Sequence, residues 1–370
     1  MSGRSHSGDE RVVLTLDAGG TNFVFSAMQA GRAVVRSFAL PSCADDLARS
    51  LANLVTGFRR ATAESPRAPS AISFAFPGPA DYTNGVIMAP RNLPAYRDVA
   101  LTAFLEDTFG LPVFINNDGD LFTYGEASAG LLPYVNGLLE EAGSPKRFRN
   151  LLGVTLGTGL GGGIVRDGQL LTGDNSVAGE MWLLRQKGEL TRNAEEGACI
   201  RAVRRTFAEL TGGTFAGSPE PKAIAEIADS GGTGSDAARE AFRRMGEMAG
   251  DAIGQALTLI DGLVVIGGGI AGAHRLFLPA VVDELNSSYT APNGEQFRRL
   301  IPQAFNLEDP EQMRTFLHGA TKELMVPGGS GRKIRFDGLL RTGVGISRLG
   351  TSEASAIGAY AFAVSRLSAG

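Results

Sequence analysis

The apolar, β-branched run Val12–Leu16 stops at Asp17-Ala18-Gly19-Gly20-Thr21 and resumes over Phe23–Met28. That pattern predicts a strand, a tight turn and a second strand. The plan returns at Leu151–Leu156, Gly157-Thr158-Gly159 and Gly161–Val165, with Leu156 lying 140 residues after Leu16. Each hairpin is followed by a further turn, Ala30-Gly31-Arg32 in the first case and Asp167-Gly168-Gln169 in the second. Two similar hairpins opening two halves predict a duplicated α/β fold. A strand–glycine–strand unit also occurs in α/β proteins without any duplication, so the repeat alone leaves both readings open.

Between the hairpins, Ala71–Phe76 reads as a strand followed by a loop at Pro77–Pro79. A helix is predicted near Asp98–Phe109, with Leu101, Phe104 and Leu105 on one face. Val113–Ile115 reads as a buried strand, Asn116–Asp120 as a polar turn, and a helix follows from about Leu121. In the second half, Ala194–Leu210 and Ala237–Leu259 read as helices, Leu263–Ile266 as a strand and Glu353–Leu367 as a closing helix. Residues 133–150 and 288–332 show no period and are rich in Gly, Pro and charge, so they are expected to be irregular peripheral insertions.

Length and composition change this picture in several ways. A length of 370 residues exceeds the ~100–200 of one typical domain, so two lobes are expected. Hydrophobic residues make up 43% and charged residues 20%, enough apolar surface for a real core. The net charge of −4, without a basic run, points away from nucleic-acid and anionic membrane surfaces. Cys43 and Cys199 are far apart, and with only His6, His274 and His318 they offer no zinc-ligand spacing. Met1–Glu10 lacks the apolar stretch of a signal peptide. The apolar run Leu263–Ala273 is short and glycine-broken, below the ~18 residues of a membrane span. A cytoplasmic protein without membrane or nucleic-acid partners is the expectation.

A turn of small residues between two strands aims several backbone N–H groups at one point, which suits phosphate oxygens. Thr21 and Thr158 each add a hydroxyl. There is no GxxxxGK(S/T) segment, so a P-loop is not expected. A third turn follows the strand at Val264–Ile266, and its Gly267, Gly269 and Gly272 satisfy GxGxxG. That spacing is also the flavin or nicotinamide fingerprint, which wants a strand ending in an acid about 20 residues on. Val281–Tyr289 reads instead as helix and then loop. An FAD- or NAD-dependent oxidoreductase is the alternative this turn raises. Asn116-Asn117-Asp118-Gly119-Asp120 lies where a buried strand meets a helix. Asp118 there could take a proton from a substrate hydroxyl while Asn117 orients it, or it could simply cap the helix.

Taken in order, these segments resemble the ROK family (repressors, open reading frames and sugar kinases) and, more broadly, the actin-like, hexokinase-like fold. Asp17-Ala18-Gly19-Gly20-Thr21-Asn22 resembles its first phosphate motif. Pro77-Gly78-Pro79 and Pro90-Arg91-Asn92-Leu93-Pro94 are similar to its sugar loops, and Asn117-Asp118 with Gly125-Glu126 to its catalytic motif. Gly157-Thr158-Gly159-Leu160-Gly161-Gly162-Gly163 resembles the second phosphate motif, and Gly267-Gly268-Gly269 the adenosine motif. Leu349-Gly350 and Ile357-Gly358-Ala359 match its C-terminal ending.

The resemblance implies a two-lobed actin-like/ribonuclease H-like ATPase fold with duplicated βββαβαβα-type domains. The small lobe would hold residues 1–117 and 352–370, and the large lobe 118–351, with the active site in the cleft between them. It implies an ATP-dependent sugar kinase, with Mg²⁺ bridging the phosphates and a homodimer as the assembly. Asp118 would be the base, and Gly78, Asn92, Asn117, Glu180 and Glu195 would meet the sugar, with Glu196 a rival to Glu195. Asp17, Gly19, Gly20, Thr21, Asn22, Gly157, Thr158, Gly159, Gly267, Gly268 and Gly269 would hold the nucleotide. Phosphoryl transfer depends mostly on positioning and charge neutralisation, so backbone cradles, a metal and one base suffice.

Two departures stand out. Where the family reads Glu-x-Gly-His, this chain reads Glu180-Met181-Trp182-Leu183, without the sugar-contacting His. Where the family has a cysteine-rich zinc segment, the chain has Glu195-Glu196-Gly197-Ala198-Cys199. No structural zinc is therefore expected. The missing His also admits a sugar-binding protein with weak or no catalysis. A family repressor would carry a DNA-binding domain ahead of the first strand, and Val12 already begins that strand.

Overall fold

The computed structural model describes residues 8–328 and 331–369; His6 lies outside them. The chain divides into two compact units, Met1–Gly130 with Gly163–Gly179 and Leu349–Gly370, and Leu131–Gly162 with Glu180–Arg348.

The first unit opens with β1 (Val12–Ala18), β2 (Asn22–Gln29) and β3 (Arg32–Pro41), followed by α1 (Leu47–Glu64) and β4 (Pro69–Ala75). Three short strands follow, β5 (Ala80–Asp81), β6 (Val86–Ile87) and β7 (Val99–Ala100), then α2 (Leu101–Phe109), β8 (Val113–Asn116) and α3 (Asp118–Ser128). The main sheet has the order β3-β2-β1-β4-β8. The β1–β3 meander is antiparallel, and β1, β4 and β8 are parallel.

A mostly apolar run, interrupted only by the buried Thr15 over Val12–Leu16, makes β1 a central strand because both of its faces are covered. Val12, Leu14 and Leu16 join Phe25, Leu54, Phe58 and Phe74 in one core. Val13, on the opposite face, packs with Ala71, Ile357, Tyr360 and Val364, the last three from α10 (Thr351–Leu367). That helix also lies against α3. A Cβ placed on Gly125 would stand 1.9 Å from the Ala354 carbonyl oxygen, and one on Gly358 would stand 1.9 Å from that of Leu121. The two glycines let the backbones touch. Glu126 Oε1 accepts from the Leu349 amide at 3.2 Å, tying α3 to the segment before α10.

The second unit contains α4 (Leu131–Glu141), β9 (Leu151–Leu156), and β10 (Leu160–Arg166), along which the chain passes to the first unit and β11 (Gln169–Leu170). After residue 179 come α5 (Ile200–Thr211), α6 (Pro221–Ser230), α7 (Ser235–Ile260), β12 (Leu263–Gly267) and α8 (His274–Leu285). The chain continues as β13 (Ser288–Thr290), β14 (Gln296–Arg298), β15 (Gln303–Asn306), α9 (Pro310–His318), β16 (Thr321–Met325), β17 (Lys333–Asp337) and β18 (Arg341–Ile346). The order β11-β10-β9-β12-β18-β15 repeats the plan of the first sheet, a turn-linked set followed by parallel strands.

Several expected boundaries shift. Residues 131–141, overlapping the start of the 133–150 stretch expected to be irregular, form α4. Its buried Leu131, Leu132, Val135 and Leu139 make a stripe that Pro133 and Gly137 disguise, and Pro is tolerated in a first turn. The 288–328 stretch holds β13, β14, β15, α9 and β16. Both β13 and β16 are exposed throughout, so neither presents an alternation of buried and exposed positions for a sequence to record. The helix read over Ala194–Leu210 is two pieces, a 3₁₀ turn at Ala194–Glu196 and then α5. Gly197 intervenes, where a Cβ would fall 2.7 Å from Met248 Cγ, and Cys199 is extended at φ −150°.

Candidate active site

In the first unit, pairing places Asp17 opposite Ala75 and Ala75 opposite Asn116. The chain therefore leaves β1, β4 and β8 at one end of the sheet, the carboxyl ends, where parallel sheets present their ligand loops. The turn at residues 19–21, Gly78 and the Asn117-Asp118 pair all follow from those exits.

The first turn is tightly built. The Gly19 amide donates to Asn22 O at 3.0 Å, and Ser42 donates to Thr21 O through its amide at 3.0 Å and to Gly20 O through its hydroxyl at 2.5 Å. Among the described residues the amides of Gly20 and Thr21 have no protein partner. A Cβ on Gly19 would fall 2.9 Å from Asn22 O, and one on Gly20 would fall 3.1 Å from Asn92 O. Asn92 is thus brought against the turn. Gly78 sits beside Tyr82, whose hydroxyl donates to Phe76 O at 2.7 Å.

At the start of α3, Asn117 is the N-cap, its Oδ1 accepting from the Gly119 amide at 2.8 Å. Asp118 Oδ1 accepts from the same amide at 2.9 Å, and its side chain is exposed. Asp17 lies close enough to be perturbed. Partial burial and then the negative charge of Asp118 push the Asp17 carboxyl above its ordinary value, although the side chain still reaches solvent.

In the second unit, the Gly157 amide donates to Gly159 O at 3.0 Å, while the amides of Thr158 and Gly159 have no protein partner among the described residues. Glu195 lies under this turn: its Oε2 accepts from the Leu160 amide at 3.1 Å, and its Oε1 accepts from Arg201 at 2.8 Å. Arg201 also donates to Thr158 O at 2.8 Å. A Cβ on Gly159 would stand 2.5 Å from Glu195 Oε2. Glu196 accepts from Arg205 at 2.9 Å and from Arg201 at 3.4 Å, and these bonds, that of Arg205 first, hold its carboxyl below the usual carboxylate range.

Sequence reasoning passed over Arg201. It occupies the second position of α5, where a cation opposes the helix dipole, and that misplacement was the available signal. Glu180 heads the 3₁₀ turn Met181–Leu183 and accepts a hydrogen bond from the Trp182 indole N–H. The Ala194 amide donates to Leu184 O at 2.6 Å, joining the Glu180 segment to the Glu195 segment.

The third turn stands beside the second, because β9 and β12 are parallel neighbours with Thr155 opposite Gly267. Gly268 has φ +92°, and a Cβ there would fall 2.3 Å from Leu156 O, so only glycine fits. The Ile270 amide donates to Leu156 O at 3.1 Å. The dinucleotide fingerprint is not completed. After α8 the chain enters the exposed β13–β14 pair, and the next strand of the main sheet, β15, lies beyond β18 instead of beside β12.

A family model described as the ROK family matches residues 13–309. The chain is 50% identical to a glucokinase from Parabacteroides distasonis whose crystal structure it matches with a TM-score of 0.89, over 97% of this chain and 99% of that one. It is 27% identical to a Thermotoga maritima glucokinase over 75% of this chain and 89% of the relative. It is 28% identical to an N-acetyl-D-glucosamine kinase from Photobacterium profundum over 70% and 85% respectively. The fold is the actin-like ATPase fold, and with its glycine turns, sheet-end carboxylates and the matched residues 13–309, the chain belongs to the ROK family.

Proposed function

We propose that the protein is a sugar kinase that transfers a phosphoryl group from ATP to a hydroxyl of a hexose or a close relative. The observation that carries this reading is the exposed Asp118 carboxylate beside Asp17, at the sheet end where the Gly20 and Thr21 amides have no partner among the described residues.

The residues fit a polyphosphate. The turns at 19–21 and 157–159 each offer two amides without a protein partner among the described residues, and a Cβ on Gly19 or Gly159 would collide with the oxygen that shapes the turn. Two carboxylates close enough for one to raise the pKa of the other also suit a divalent cation, which relieves that repulsion. ATP with Mg²⁺ would supply the transferable phosphoryl group and neutralise its charge. Asp17, Gly19, Gly20, Thr21 and Asn22, with Gly157, Thr158 and Gly159, would hold the phosphates, and Gly267–Gly269 would receive the adenosine.

Asp118 would accept the proton of the attacking sugar hydroxyl as that oxygen bonds to the γ-phosphorus, while the bond from the γ-phosphorus to the bridging oxygen breaks and ADP leaves. Asn117 holds the start of α3 in place for that transfer. Gly78, Asn92, Glu180 and Glu195 would meet the remaining hydroxyls. Glu195 is already committed to the Leu160 amide and Arg201, which favours support of the phosphate turn as its larger part. The Trp182 indole on Glu180, in a segment that departs from the family's Glu-x-Gly-His, favours a sugar preference of its own. ADP release measured across a panel of hexoses and N-acetylhexosamines tests the reading. Turnover of one or more sugars at typical kinase rates is expected, and a panel with no ADP release above background would refute it.

A further inference from the structure

A cavity of about 290 Å³ lies in the second unit, lined in part by Lys146, Arg298, Arg299 and Arg341. It sits where β15 and β18 begin, at Gln303 and Arg341, beside the end of α7. The glycine turns follow the opposite ends of β9 and β12. Strands of five or six residues put the cavity roughly 15–20 Å from those turns.

Its charge is not balanced. Arg299 is neutralised by Asp251 at 2.5 Å and Glu284 at 3.4 Å, and Arg341 is paired with Asp337 at 2.7 Å. Lys146 and Arg298 have no carboxylate partner among the described residues. Asp261, the one acid lining the cavity, offsets one of the two. Arg341 is 2% exposed, yet its Nε and Nη2 make no hydrogen bond. Buried donors left unmade are costly, and an anion would relieve them.

The remaining walls are mixed. Leu257, Leu300 and Leu340 supply apolar surface, while Thr258 and Asp261 supply polar groups. A bare inorganic anion uses neither. The volume is that of a small metabolite site, and Asp261 repels a second anionic group while accepting hydrogen bonds from hydroxyls.

We propose that this cavity binds a small phosphate ester bearing hydroxyl groups, at a site separate from the glycine turns. Lys146 and Arg298 take the phosphate, Asp261 accepts from hydroxyls, and the leucines cover the carbon skeleton.

Calorimetric titration of the full chain with glucose 6-phosphate and with inorganic phosphate tests this. The wild type should bind the ester at millimolar concentration or below, and about tenfold more tightly than inorganic phosphate. The Lys146→Ala/Arg298→Ala variant should lose about tenfold or more in ester affinity, the loss of one or two charge-assisted contacts, with its melting temperature unchanged. Asp118→Asn and Thr158→Ala should leave ester binding at this site intact. Equal affinity in the double variant, or loss of binding in Thr158→Ala instead, would overturn the assignment. So would inorganic phosphate binding as tightly as the ester, or an ester that gives no heat with the wild type.

Discussion

At the residue scale, the turn at Asn117-Asp118 separates two roles that one carboxylate could have filled. Asn117 is the N-cap of α3, so capping does not depend on the charge of Asp118. Asp118→Asn keeps the size and the acceptor for the Gly119 amide but cannot take a proton. The expected result is a fall in kcat of ~10²–10⁴, with nucleotide Kd and melting temperature close to wild type. A variant retaining more than about a tenth of wild-type kcat would remove Asp118 as the base.

Asp17 makes a second prediction, in stability. Its folded-state pKa is raised by burial and by Asp118. Its contribution is therefore most favourable below the ordinary carboxylate pKa and is lost as pH rises through the raised value. Asp17→Asn should melt higher than wild type at neutral pH, and the difference should vanish at acid pH. Melting curves between those limits check the sign.

At the element scale, the crossing of α3 and α10 fixes the start of α3, which carries Asp118, the proposed base. Gly125 and Gly358 each meet a backbone carbonyl at 1.9 Å if given a Cβ, and backbone, unlike a flexible side chain, cannot swing aside. Gly358→Ala should destabilise by about 1–3 kcal/mol or more and lower kcat by displacing the start of α3. Gly137→Ala, in α4 where a Cβ meets nothing within 4 Å, should stabilise by about 0.5–1 kcal/mol. Chemical denaturation of the two variants, run side by side, reads both signs. Helix propensity favours alanine at both positions, so it foretells the Gly137 outcome and misses the sign at Gly358.

At the scale of the whole molecule, acid stability is set by buried ion pairs. Arg341 and Asp337 are 0% and 4% exposed at the side chain and 2.7 Å apart. Burial alone would raise the Asp337 carboxyl, but the amides of Ala320 and Leu339 and the Arg341 guanidinium outweigh it and hold the carboxyl below the usual range. The stability it contributes is present above the ordinary carboxylate pKa and lost as pH falls through the depressed value. Asp337→Asn leaves a buried cation underpaired and should cost about 3–5 kcal/mol at neutral pH. Its melting temperature should approach that of the wild type as pH falls below the ordinary carboxylate range, and a gap that stays constant with pH would contradict the linkage.

The sequence by itself determined what depends on neighbours in the chain. The turn after β1, the turn after β9 and the glycines after β12 are each a few consecutive residues, and their small side chains state a backbone requirement without help from elsewhere. The β1 and β12 runs were legible because strands covered on both faces are apolar at nearly every position, and the order of such segments sufficed to place the chain in its family. Tertiary structure alone decided the rest. It chose Glu195 over Glu196 to lie under the second turn, because the Leu160 amide and Arg201 at 2.8 Å hold one carboxylate, while Arg205 holds the other and Arg201 reaches it only at 3.4 Å. It brought Asp17 to Asp118, a hundred residues apart, by pairing β1, β4 and β8. It made helix of 131–141 and strands of the exposed stretches after residue 288, where the apolar pattern was interrupted or absent. A local motif records the conformation of its own backbone; which of two adjacent carboxylates meets a partner, or which glycine faces another helix, is written in residues far along the chain and becomes decidable only when packing brings them within reach.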